Sequence, residues 1–134
     1  MASWIIPCNP KLYDVYGAFR TLGTVYWHQS AKNIEIGDTV YVYAGKPIQA
    51  VTHKCLVLNV CIPGEETDDS DSAFDLSPGS LSPYPRYMQL KMVKEYDPSV
   101  LPFSKFVDHG LNSSIQGQRH TGPIIQGVID SADM

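Results

Sequence analysis

The chain has 134 residues, a formal net charge of −4 and 43% apolar residues. A chain of this length predicts one hydrophobic core and a single domain over residues 1–134. No apolar stretch approaches the roughly 20 residues of a membrane-spanning helix, and the amino terminus lacks the pattern of an export signal. The sequence therefore predicts a soluble cytoplasmic protein with no membrane partner. It also excludes a strong binder of long duplex DNA, which would need a basic stripe.

The first third of the chain predicts a strand and a helix. Residues 3–6 form a short apolar run before a proline, which is typical of a buried first strand. Asn9 is placed to cap a helix whose apolar residues recur at helical spacing, and Gly23 is placed to end it in the left-handed conformation. Residues 24–32 include Trp27 and have no clean period, so we interpret them as a loop.

Three strands and a short helix are predicted in the rest of the chain. Residues 39–44 are β-branched and aromatic, and residues 86–96 alternate between polar and apolar. Residues 50–62 are apolar on both faces, which predicts a central strand of a closed or strongly curved sheet. Residues 98–110 predict a short helix, and residues 113–119 predict a last edge strand or a pocket wall.

Residues 63–85 replace the periodic pattern with Pro, Gly, Ser and acidic side chains, so they are predicted to form a long mobile surface loop. Its acidic residues lack the glycine and final glutamate of a calcium-binding loop, and we interpret them as solvated charge rather than a metal site. These residues are Glu65, Glu66, Asp68, Asp69 and Asp71. The pair His53 and Cys55 is interpreted as two neighbours on one strand face. No metal and no cofactor is predicted.

The three cysteines are predicted to be reduced. Cys55 and Cys61 fall on one strand, and at about 3.3 Å per residue they lie roughly 20 Å apart, beyond disulfide reach. Cys8 lies just before the predicted helix, where a helix dipole could stabilise its thiolate. This position keeps an enzyme as an alternative, although no GxSxG, HExxH or phosphate-binding loop is present.

The order of elements resembles the EVE family of PUA-like domains, which are relatives of the YTH readers of methylated adenine. The resemblance covers nearly the whole chain and rests on four segments. They are Trp4 to Pro7, Trp27-His28-Gln29-Ser30-Ala31, the Gly37-Asp38 entry into the strand ending at Tyr43, and Gln116-Gly117-Gln118-Arg119. It implies an α/β (α+β) fold with a PUA-like curved or pseudo-barrel sheet of about five to six strands and flanking helices.

The candidate site is a pocket for one flat ligand. Aromatic faces hold a planar base at about 1–3 kcal/mol per stack, and amides and hydroxyls read its edges without burying a charge. Ordinary core packing is the alternative for each aromatic side chain. The resemblance places the Trp27 loop and the Gln116 segment at the pocket mouth. The predicted ligand-binding residues are Trp4, Trp27, His28, Gln29, Ser30, Tyr43, Asn59, Gln116 and Arg119.

The function that the sequence favours is a binding module that reads a modified nucleobase in DNA or RNA by local contact. One alternative is a hydrolase of modified nucleosides, as the resemblance extends to ASCH-type relatives. Another is an interaction module in which Tyr84, Tyr87 and the acidic loop contact a partner protein or a second copy of the chain. An enzyme is the less favoured reading, and no catalytic residue is predicted.

Overall fold

A computed structural model describes residues 2–67, 74, 76 and 86–133 of the chain. The elements in chain order are β1 (Ser3–Cys8), α1 (Val15–Leu22), β2 (Thr24–His28), β3 (Thr39–Ala44), β4 (Ala50–Pro63), a 3₁₀ turn (Gly64–Glu66), β5 (Arg86–Glu95), α2 (Phe103–Asp108), β6 (Arg119–His120) and α3 (Gly122–Ala132). This is the mixed α/β architecture that the sequence predicts.

The strands form one six-stranded sheet in the order β2-β5-β4-β3-β1-β6. β1 pairs with β3 in parallel, and the other neighbours are antiparallel. In the described part of the chain no backbone ladder joins β2 to β6, so the sheet is not closed by strand pairing. β4 lies in the interior of the sheet, as its two apolar faces predict.

Each face of the sheet carries its own core cluster, because successive strand residues point to opposite faces. One cluster lies on the face covered by α1, and the other lies on the face covered by α2 and α3. In β1, Trp4 and Ile6 belong to the α1 cluster, whereas Ile5 belongs to the other. Val40 and Tyr41 in β3 divide in the same way. The candidate site must therefore be sought on one face at a time.

The first helix is shorter than predicted. It begins at Val15, and its N-cap is Asp14, whose carboxylate accepts a hydrogen bond from the Gly17 amide at 3.1 Å. Asn9 does not cap the helix and lies in a turn before it. The backbone between Asn9 and the helix is not helical, and the Asp14 amide donates to the Phe74 carbonyl at 2.7 Å. The predicted stop is confirmed, since Gly23 has φ 73° and its amide donates to the carbonyl of Phe19.

The prediction of a loop around Trp27 is wrong, because Thr24–His28 forms strand β2. It pairs antiparallel with β5, and Trp27 lies opposite Met88. Val25 and Trp27 are buried on the α1 face while their neighbours are half-buried. Five residues of alternation, in which Tyr26 and His28 occupy the outer face, are too few to produce a clear period.

The carboxyl-terminal half follows the prediction in part: a helix forms within residues 98–110, as α2 (Phe103–Asp108), whereas the strand predicted over 113–119 is limited to β6 (Arg119–His120). α2 ends before Gly110, which has φ 106°, and Phe106 is fully buried while Val107 is largely exposed. Within the described ranges, no helix has both the length and the apolarity needed to cross a membrane. The predicted acidic loop falls partly outside the described residues, which leave out Asp68, Asp69, Asp71 and Tyr84.

Candidate functional site

Trp27 has a feature that packing alone does not explain. Its ring is 7% exposed and meets the edge of Tyr13, with ring centroids 5.6 Å apart and planes at 79°. The indole Nε1 is buried and has no hydrogen-bond partner among the residues that the structure describes. An indole N–H is a donor only, and leaving such a donor buried and unpaired costs about 1–3 kcal/mol. An acceptor supplied from outside the chain would remove that cost.

The backbone that follows Trp27 is held by Gln118. The Gln118 amide nitrogen donates to the His28 carbonyl at 2.8 Å, and its oxygen accepts from the amides of Ser30 and Ala31 at 2.9 and 3.2 Å. Gln118 immediately precedes β6, at one end of the sheet, and His28 ends β2, at the other. This set of three hydrogen bonds, the Gln118 bridge, therefore brings the two ends of the sheet together. The sheet is strongly curved in consequence.

Gln29 and Arg86 also hold the backbone that follows Trp27. The Gln29 side chain is buried and donates to the Ala31 carbonyl at 3.0 Å, and its oxygen accepts from the Cys61 amide at 2.9 Å. Arg86 donates to the carbonyls of Gln29 and Ser30 at 3.2 and 3.4 Å. Both ends of the Gln29 amide are thus engaged in positioning the loop. We define the β2 exit loop as residues 28–31.

Trp4 lies in the same core cluster as Trp27 but has a satisfied indole. Its Nε1 donates to Asp38 Oδ2 at 2.9 Å, and the Asp38 carboxylate also accepts from the amides of Ala2 and Glu35 at 3.0 Å. Burial acts to raise the pKa of Asp38, yet these three hydrogen bonds hold the pKa below its ordinary value. Trp4 also stacks on His120, with centroids 3.8 Å apart and planes at 24°.

His53 carries the second buried nitrogen without a partner in the described chain. It packs between the rings of Tyr16 and Phe19, and its Nδ1 lies 2.7 Å from Thr52 Oγ1. Burial lowers the pKa of His53 to about 4. His53 and Cys55 are both buried in β4, as the interpretation of two strand neighbours predicts.

The structure does not bring the predicted residues into one group. Trp4 and Trp27 share the α1 face, and Gln29 and Ser30 lie in the β2 exit loop beside Trp27. Tyr43 belongs to the cluster on the opposite face, where it packs near Phe103 at 6.0 Å.

Of the remaining predicted residues, His28 adjoins Trp27, with the two ring centroids 6.5 Å apart, whereas Arg119 lies on the opposite face. Arg119 pairs with Ile5, a member of the cluster on the opposite face. His28 follows Trp27 in β2 and is half-buried, and burial lowers the pKa of its imidazole. Asn59 and Gln116 are exposed, and the Asn59 side chain accepts from the amide of Val60.

Cys8 does not have the environment of an activated thiol. It is the last residue of β1, whereas α1 begins at Val15, so no helix dipole acts on its sulfur. Burial raises the pKa of the Cys8 thiol to about 12. All three cysteines are free. In the described ranges, no three His, Cys, Asp or Glu side chains are grouped as a metal site would require.

Sequence reasoning missed the residues that organise the site. Gln116 was predicted to contact the ligand, whereas Gln118, in the same motif, makes hydrogen bonds that hold the backbone after Trp27. Asp38 was noted in the sequence as part of the Gly-Asp turn. Its carboxylate, a hydrogen-bond acceptor next to a buried strand, was the signal that could have indicated its role. For Tyr13, Arg86 and His120 the sequence carried no signal, because their partners lie far away along the chain.

The curved sheet and its flanking helices define a PUA-like fold of the kind found in ASCH proteins. The ASCH protein from Zymomonas mobilis is similar with a TM-score of 0.62 and 10% identity, over 97% of this chain and 94% of that chain. A crystal structure from Pseudomonas putida gives a TM-score of 0.68 and 14% identity, over 99% and 100%. A hypothetical protein from Leishmania major gives 0.69 and 11%, over 99% and 95%.

No family model matches the chain, and no curated protein is similar enough in sequence to match it. Sequence identities this low show a shared fold alone. The structural comparisons therefore support the predicted PUA-like fold but do not confirm the EVE family in particular.

Proposed function

We propose that this chain binds a single modified nucleobase, in DNA or RNA, beside Trp27 and the β2 exit loop. The observation that carries the proposal is the buried indole N–H of Trp27, which has no acceptor in the described part of the chain. A carbonyl oxygen or an unprotonated ring nitrogen of a base would supply that acceptor. The PUA-like fold supports the proposal at the level of architecture.

The loop beside Trp27 is suited to holding a flat ligand because it is already ordered. Gln118 and Arg86, from two separate segments, form hydrogen bonds with its backbone, and the side chain of Gln29 within the loop accepts from the Cys61 amide. A ligand that binds a preorganised loop does not incur the entropic cost of ordering it. In this proposal Trp27 donates to the base and Ser30, which is exposed, presents its hydroxyl to the base edge. Gln29 and Trp4 support the site from behind.

Charge favours a local contact over a long one. The net charge of −4 opposes the binding of an extended phosphate backbone. Arg86 is half-buried at the β2 exit loop, and within the described residues it forms no salt bridge. One guanidinium in that position suits the phosphate of a single nucleotide.

The test is a titration of short fluorescently labelled oligonucleotides that carry one methylated or hydroxymethylated base, followed by anisotropy. We expect the protein to prefer one modified base over its unmodified control. Trp27→Phe should weaken that binding about tenfold, because it removes the N–H donor and keeps an aromatic ring. A matched variant, Trp4→Phe, removes an N–H that is already satisfied by Asp38 and should retain the preference.

Equal affinity for modified and unmodified oligonucleotides would overturn the proposal. Mass spectrometry of a panel of modified nucleosides after incubation provides the second readout. A binding module returns the nucleosides unchanged, whereas a changed mass would replace this proposal with the hydrolase alternative.

A further inference from the structure

His120 offers a flat aromatic face to solvent. The residue is exposed, and its one recorded ring contact in the described part of the chain is with Trp4. The two rings are stacked with centroids 3.8 Å apart and planes at 24°. One face of the imidazole is therefore covered by the indole, and since the residue is nevertheless exposed, we infer that the opposite face is accessible.

The imidazole is held rigidly for an exposed side chain. It lies on Trp4, which is 4% exposed, and the Trp4 indole is itself fixed by its hydrogen bond to Asp38. The backbone of His120 pairs with that of Trp4 in the β1–β6 ladder. A surface ring fixed in this way loses little rotamer entropy when a second planar group stacks on it.

His120 also lies close to the candidate site. It is two residues from Gln118, which at about 3.3 Å per residue is a separation of roughly 7 Å along the backbone. Gln118 in turn holds the loop that directly follows Trp27. Trp4, on which His120 stacks, belongs to the same core cluster as Trp27. The β2 exit loop and His120 are thus linked through Gln118 and through the core cluster that contains both tryptophans.

We propose that the open face of His120 stacks the base next to the modified one, so that the site binds a short unpaired strand rather than an isolated base. This inference rests on the proposed function and deepens it. Stacking on an aromatic ring tolerates any base because every base has a π face. The neighbouring base would therefore add affinity without adding a strict sequence requirement.

The experiment compares a free modified nucleoside with a trinucleotide that carries the same base at its centre. Calorimetry measures both affinities for the wild type, His120→Ala and His120→Phe. We expect His120→Ala to weaken trinucleotide binding about tenfold and to leave nucleoside binding unchanged. His120→Phe keeps a ring on Trp4 and should retain most of the trinucleotide affinity.

Two trinucleotides with an abasic residue, on the 5′ or on the 3′ side of the modified base, serve as matched ligands. One of them should bind as weakly to the wild type as the complete trinucleotide binds to His120→Ala, and it should be insensitive to that substitution. Thermal melting of each variant controls for a disturbed Trp4.

The outcomes separate this inference from the function on which it rests. If the nucleoside binds and His120→Ala leaves the trinucleotide affinity unchanged, the stacking role is overturned and the proposed base binding beside Trp27 stands. A loss that persists with both abasic ligands would also overturn it, since the contact would then be with the phosphates. If neither ligand binds the wild type, both proposals fall together.

Discussion

The two tryptophans differ in one atom's surroundings although they lie in the same core cluster. Trp4 and Trp27 are 4% and 7% exposed, and both indole nitrogens are buried. The Trp4 N–H donates to a carboxylate at 2.9 Å, whereas the Trp27 N–H has no acceptor within the described ranges. Burial alone would class both rings as core residues. The unpaired donor is what distinguishes Trp27 from Trp4, and it is the basis of the proposed ligand contact.

His53 sharpens this comparison because its buried Nε2 also has no hydrogen-bond partner among the described residues, although Glu95 Oε1 lies 3.9 Å away. An imidazole can leave one ring nitrogen without a proton, while an indole nitrogen always carries its hydrogen. Burial lowers the pKa of His53 to about 4, so the ring is neutral at pH 7. An unpartnered ring nitrogen is therefore a weaker indication of a ligand in His53 than in Trp27.

The largest expected effect on stability comes from removing the acceptor of the Trp4 indole N–H, which would leave Trp4 with an unpaired donor like that of Trp27. Asp38→Ala removes the acceptor of three hydrogen bonds and leaves the Trp4 indole without a partner. We expect the free energy of unfolding to fall by at least about 3 kcal/mol, measured by urea denaturation. Asp108→Ala, at an exposed position, is the matched control and should change stability little. A loss below about 1 kcal/mol would mean that this core tolerates a bare indole N–H.

A pH experiment on His53 tests whether its buried imidazole is neutral at pH 7. Because the pKa is about 4 in the folded chain and 6.5 in the unfolded chain, the unfolded state binds the extra proton between these values. Stability should then fall as the pH is lowered through this window, by about 2 kcal/mol at pH 5 relative to pH 7. Glu95 stays ionised there, because its hydrogen bonds with Arg20 lower its pKa.

His53→Phe removes the titrating group, and urea denaturation at pH 7 and pH 5 measures the result. The difference between the two pH values should shrink in the variant by the share due to His53. An unchanged difference would show that other groups, such as His28, produce the whole effect.

The smallest expected effect is the difference between two matched substitutions. Trp4→Phe and Trp27→Phe remove the same atoms, but only the first breaks a hydrogen bond. We expect Trp4→Phe to cost about 1.5 kcal/mol more stability than Trp27→Phe. Equal losses in thermal or urea unfolding would contradict the distinction between the two rings. Alanine at either position would obscure it, since each change would open a large cavity.

Strands whose own residue pattern indicates an extended conformation could be predicted from the sequence. β3, β4 and β5 carry long β-branched or apolar runs and were located to within a residue or two. β2 and the start of α1 could not be located in this way. β2 is a short strand defined by pairing with β5, and Phe74 engages the backbone just before α1.

The same distinction applies to the candidate site. Its two tryptophans and the loop after Trp27 were identifiable, because aromatic and polar residues stand together there. The partner of each could not be identified. Gln118 contacts residues 87 to 90 positions away in the chain, and nothing local distinguishes it from Gln116.

The Gln118 bridge has a consequence for access to the site. The two ends of the sheet are joined by one amide side chain with three hydrogen bonds rather than by a ladder of paired backbone. Separating a ladder breaks the backbone hydrogen bonds of a whole strand, whereas a rotamer change of Gln118 breaks the three hydrogen bonds of the bridge, at a cost of about 3 kcal/mol. The bridge holds the segment that follows Trp27, so displacing this segment costs less than displacing a paired strand, and the paired strands can keep their register.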